Sequence, residues 1–95
     1  QDADRLDALG AIGLARCFTT GGALGRPLYR LDDPFADSRE PDDRDNSVDH
    51  FYTKLLRLAD TMTTAAGRAE AATRTAFLRR FLDELRAELA GVREQ

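Results

Sequence analysis

Residues 2–20, DADRLDALGAIGLARCFTT, are apolar or small on almost every side of a helix, yet they open with acids at Asp2, Asp4 and Asp7. A helix that is apolar all round belongs inside a core. Carboxylates at its mouth are costly to bury unless they are paired or bound to a metal. Any fold available to this chain must resolve that conflict, so the remaining segments are read as packing around this stretch. The predicted helix covers 2–19, with Gly21-Gly22 as its left-handed stop. Gly10 and Gly13 each cost about 1 kcal/mol of helix propensity against alanine. Their spacing on one side predicts close approach by a neighbouring helix.

Residues 20–46 differ in kind. They hold all three prolines and carry seven acids against four arginines, so the whole net charge of -3 resides there. A structureless stretch of this length is uncommon in a compact domain unless it is functional or disordered. Leu24, Leu28, Tyr29 and Leu31 are expected to pack its first half down. The second half, DDPFADSREPDDRDN, is expected to stay mobile.

Two further helices come next. Ser47 reads as an N-cap, with Asp49 in the first turn, where negative charge meets the helix dipole. Val48, Phe51, Leu55, Leu58 and Met62 keep helical spacing and predict a helix over 48–63. Ala71, Leu78, Leu82, Leu85 and Leu89 predict another over 68–90 with Gly91 at its end, and Glu70–Arg74 is an opposite-charge pair one turn apart. No strand pattern and no internal repeat is present. The fold class is therefore all-α, a helical bundle of three main helices plus a long acidic loop. No apolar run approaches the roughly 18 residues a membrane span needs. Cys17, the single cysteine, sits on the apolar helix and reads as a small buried residue in a reducing cytoplasm. The absence of a basic stripe or aromatic platform argues against a nucleic-acid polymer as partner.

Few residues could carry chemistry. Asp4 shares a helical face with Ala8, Ala11, Ala15 and Phe18, and a carboxylate at the head of that lane could ligate a hard divalent cation. It reads as well as an acid opposing the helix dipole, and one acid makes no metal site. His50 and Lys54 lie four apart on the polar side of the 48–63 helix, a pairing suited to an anionic oxygen such as phosphate. The bland alternative is a packed first-turn histidine beside a solvated lysine. Arg26 and Arg30 form another basic cluster, and Arg5 adjoins Asp4.

Residues 2–16, Asp2-Ala-Asp-Arg-Leu-Asp-Ala-Leu-Gly-Ala-Ile-Gly-Leu-Ala-Arg16, resemble the late motif of HD-domain metal-dependent phosphohydrolases. Gly21-Gly-Ala-Leu-Gly-Arg-Pro-Leu-Tyr29 and Ser47-Val-Asp-His-Phe-Tyr-Thr-Lys-Leu-Leu56 are similar to the segments downstream of that motif in a bacterial subgroup. In that family a His, a His-Asp pair and a later Asp bind one or two divalent metals inside a helical bundle. The resemblance implies that Asp4, in Ala3-Asp4-Arg5, is the last metal ligand, with Mn2+ or Mg2+ as the cofactor. Asp7 would be a near neighbour of that site. It further implies hydrolysis of a phosphorylated small molecule, a nucleotide being favoured, by a metal-activated water. His50 and Lys54 would then help on the phosphate side, on the ground of their type and spacing more than of the family motif. The earlier His and His-Asp pair have no counterpart here. The expectation is thus that residues 1–95 are the C-terminal part of a single HD-type domain, a fragment whose partner is its own missing N-terminal half. The alternative is a non-catalytic helical interaction module or an inactive truncated relative.

Overall fold

The computed structural model describes residues 2–94, with side chains through Gly91. Helix α1 (Asp2–Leu6) leads into α2 (Gly10–Ala23). A loop connects to α3 (Ser47–Thr53), then come a 3-10 stretch (Leu55–Thr61) and the long α4 (Ala65–Glu94). Among the described residues there is no strand, so the all-α expectation holds. The long dimension of 46 Å is set by α4, since 30 residues at 1.5 Å each span about 45 Å. Helix α4 begins earlier than 68 and runs on through Gly91, because a lone glycine weakens a helix without stopping it.

The core is built from Leu9, Phe35, Val48, Phe51, Leu55, Met62, Ala71, Leu78 and Leu82. The stripes read on the last two helical segments supply most of it. Phe18, Phe51 and Phe81 form a triangle of rings 5.7–5.9 Å apart, joining α2, α3 and α4. Each such pair contributes about 0.5–1.5 kcal/mol beyond area burial.

Four helical expectations are corrected. First, the opening helix is not continuous: Gly10 has φ +69°, a left-handed conformation that breaks the α-helical path. The break turns Leu9 fully inward. The carbonyls freed at the end of α1 are taken by arginines, Arg74 Nη1 to Leu6 O at 2.7 Å and Arg16 Nη1 to Asp7 O at 3.1 Å. Second, α2 is not an interior helix. It buries only Gly10, Gly13 and Gly21 and leaves Ile12 59% exposed. Glycine on its inner side lets its backbone press close: a Cβ on Gly21 would collide with Ser47 Oγ. The helix also passes through Gly21-Gly22, and the left-handed residue beyond it is Gly25, φ +74°. Third, the N-cap of α3 is Asn46, whose side chain accepts from Asp49 N at 3.0 Å. Fourth, α3 ends at Thr53, with Lys54 turned out of helical geometry (φ -139°) before the 3-10 turn.

The loop inverts its expectation. Leu24, Leu28 and Leu31 are 61, 59 and 79% exposed, and only Tyr29 is half-buried. The charged second half is the part held down. Pro34 and Phe35 are buried, and Arg86 lies 4.2 Å over the Phe35 ring. Arg39 pairs with the fully buried Asp49 through Nη1–Oδ2 and through Nη2–Oδ1 at 3.1 Å. Asp42 N donates to the same carboxylate at 2.7 Å. Burial would raise the Asp49 pKa, but Arg39 and these donors together hold it below the ordinary carboxylate value. Asp49 thus anchors a loop, where a contribution to the helix dipole was expected.

Candidate functional site

The three opening acids have three different settings. Asp2 lies against the start of α4, where its carboxylate accepts from the backbone N–H and the hydroxyl of both Thr63 and Thr64 at 2.7–3.0 Å. Hydrogen bonding to Thr63 N–H first, then to the Thr64 hydroxyl, pulls its pKa far below the usual range. This resolves the apparent conflict for Asp2, which holds the two residues just ahead of α4, where negative charge meets the helix dipole. The Thr64 hydroxyl caps that helix by accepting from Gly67 N at 2.9 Å. Arg5 is likewise structural, donating to Thr61 O at 2.7 Å. Asp4 and Asp7 are exposed, and neither side chain makes a hydrogen bond or ion pair among the described residues. With the helix broken, Asp4 no longer heads one continuous lane, and Ala11 and Ala15 beyond the break are exposed.

Asp4 offers oxygen donors suited to a hard cation. Among the described residues, however, no group of three or more His, Cys, Asp and Glu side chains could share a metal ion. These residues by themselves do not fit a metal centre.

His50 lies elsewhere, in the wall of a cavity of about 180 Å³ formed by Ala8, Gly13, Arg16, Cys17, Thr20, Arg26, Ser47, His50 and Leu55. Its Nδ1 is 3.1 Å from Asp43 Oδ2, and Thr53 Oγ1 donates to that same oxygen at 3.0 Å. The His50 bond leads in lowering the Asp43 pKa, so Asp43 is a carboxylate at neutral pH and Nδ1 must carry the proton. Nε2 is left for other partners. Cys17 Sγ points to Ser47 O at 3.6 Å, and burial raises its pKa to about 11 despite the nearby Arg26. A thiol that stays protonated is no nucleophile at neutral pH.

Lys54 N–H still reaches His50 O at 3.1 Å, but the residue is exposed and does not line the cavity. Arg30 is drawn off to Asp32 at 2.8 Å, so of the Arg26–Arg30 cluster only Arg26 contributes. Sequence reasoning missed Asp43, Thr53 and Arg16. Asp43 lies in the loop seven residues before His50, where no helical periodicity links the two. Arg16 was read merely as one end of a motif.

No family model matches the chain. It is 40% identical over 92 residues to the uncharacterized protein YpgQ of Bacillus subtilis, a match covering 97% of this chain and 39% of that protein. A solved HD-superfamily hydrolase from Bacillus thuringiensis is 47% identical with a TM-score of 0.80, over 95% of this chain and 44% of that one. YpgQ solved in complex with ADP is 41% identical with a TM-score of 0.77, over 93% and 40% respectively. The all-α fold is that of these HD-superfamily helical neighbours. The chain spans less than half the length of each of them. No helix among the described residues is long and apolar enough to cross a membrane.

Proposed function

We propose that this chain is the C-terminal part of a single HD-type domain whose complete form is a phosphohydrolase, acting on a phosphorylated small molecule and most favourably a nucleotide. The observation that carries this reading is the likeness to an HD-superfamily hydrolase and to a relative solved with ADP, both well above the identity at which fold alone is shared. Asp4, exposed and unpartnered, would give one ligand to a divalent metal, Mn2+ or Mg2+. The described residues supply no complete set, so the other ligands would belong to the rest of the domain. Such a metal, when bound, supplies charge neutralisation and an activated water.

His50 and Lys54 would act on the phosphate side, His50 from the cavity wall and Lys54 as a point charge one turn further on. A cytoplasmic setting suits both a nucleotide substrate and a single unpaired cysteine. In the full-length protein, Asp4→Ala should remove bound manganese or magnesium by elemental analysis and lower nucleotide hydrolysis about 100-fold or more. Unchanged metal content would refute the ligand assignment. A full-length wild type that hydrolyses no nucleotide with either metal would leave the non-catalytic helical module as the better reading.

A further inference from the structure

We infer that the cavity between α2 and α3 seats a phosphate group of the substrate, with Arg26 as its cation and His50, oriented by Asp43, as its proton-exchanging partner. The inference rests on the phosphohydrolase reading and adds to it a site, a cation and a positioning residue.

Arg26 is the central residue. Of the half-buried arginines, Arg5 donates to Thr61 O, Arg39 pairs with Asp49 and Arg74 binds Glu70 and Leu6 O. The Arg26 side chain alone among these makes no hydrogen bond or ion pair within the described residues. A half-buried guanidinium with five donors unmatched by protein acceptors is a binding group in want of an anion. Arg16 stands at the same cavity with one of its nitrogens engaged on Asp7 O, so its other donors remain available. The hydroxyls of Thr20 and Ser47 complete the polar wall. Asp43 does not itself line the cavity; it is held against His50, with one of its oxygens committed to both His50 and Thr53. The lining residues thus include two arginines and no carboxylate, and Asp43 is the nearby acid that feels the Arg26 charge.

The volume, about 180 Å³, falls below the roughly 300–1,000 Å³ of cavities that enclose a whole drug-sized ligand. It suits a phosphate or diphosphate with the remainder of the substrate outside.

The contacts fix the tautomer. Because Nδ1 keeps its proton and donates it in a hydrogen bond to Asp43, the neutral imidazole of His50 presents a lone pair at Nε2. A phosphate hydroxyl can transfer its proton there, leaving a phosphate with one more negative charge beside an imidazolium. The new Nε2–H then donates back to it. The same proton can be returned to a departing oxygen, so charge and atoms balance and nothing is oxidised or reduced. Asp43 acts through His50 and is a positioning residue.

The test uses the full-length protein with inorganic pyrophosphate and ADP as probes, in calorimetry and in nitrogen-15 spectra of the imidazole. Arg26→Gln should weaken pyrophosphate binding about tenfold or more, and Arg26→Lys should recover part of that loss. In the wild type pyrophosphate should shift the Nε2 resonance of His50, and in Asp43→Asn that shift should vanish while the fold, followed by circular dichroism, persists. Pyrophosphate binding within twofold of wild type in folded Arg26→Gln would overturn the site. If hydrolysis fails in the wild type but pyrophosphate binding still depends on Arg26, the activity falls and the site stands. If hydrolysis depends on Asp4 while KM is indifferent to Arg26, the activity stands and the site falls.

Discussion

The two halves of the loop between α2 and α3 behave in opposite ways. Residues 24–31 carry the leucines and leave them on the surface, held by the half-buried Tyr29 and by backbone bonds such as Ser47 N to Pro27 O at 3.1 Å and Val48 N to Leu28 O at 2.9 Å. Residues 32–46 carry the charge and are fixed by it. Asp33 accepts from Asp37 N at 3.0 Å and Ser38 N at 3.1 Å, spanning Ala36 at φ +52°, which costs a non-glycine residue about 1–2 kcal/mol. Arg39 and Asp49 then join this turn to α3. Burial of leucine needs a surface to bury against, whereas a carboxylate needs only the right donors.

That contrast can be broken most decisively at Asp49. Asp49→Ala leaves Arg39 without its buried partner and should cost about 3–5 kcal/mol in urea unfolding; a loss below about 1 kcal/mol would show the loop to be loosely held. Because the folded carboxylate titrates below its unfolded value, its stabilisation is fully present above about pH 4. It is lost as pH falls through the folded value, so the Asp49→Ala curve should be flatter there. A smaller difference concerns accessibility. Trypsin should cut after the exposed Arg30 before the pinned Arg39; cleavage at Arg39 first would reverse the ranking of the two halves. The smallest effect belongs to Leu24→Ser, expected to change stability by no more than about 0.5 kcal/mol. A larger loss in the same unfolding experiment would mean that the exposed leucines are covered after all.

Much of the bundle was legible because apolar spacing on α3, the 3-10 stretch and α4 has one helical solution. Phe35 was not, since it enters the core from an irregular segment where no period announces it. The Gly10 break and the Asn46 cap depend on one residue's backbone angle and one side-chain bond, too local for a pattern to register. His50 stands out in the sequence by its type and its spacing from Lys54, and its setting is visible only with Asp43, distant in periodicity, against it. Asp4 remains what composition made it, an acid without a partner among the described residues.

Asp2 has a mechanical consequence. Its bonds to Thr63 and Thr64 fasten α1 to the head of a 30-residue rod. Arg86, about six turns along that rod, grips Asp37 at 3.1 Å. Helix α4 is therefore a lever with α1 clamped at one end and the acidic loop hooked near the other. A displacement of α1 has a route to the turn beside Arg39 and Asp49 that bypasses α2, so the loop that braces α3 and the helix bearing Asp4 are parts of one linkage.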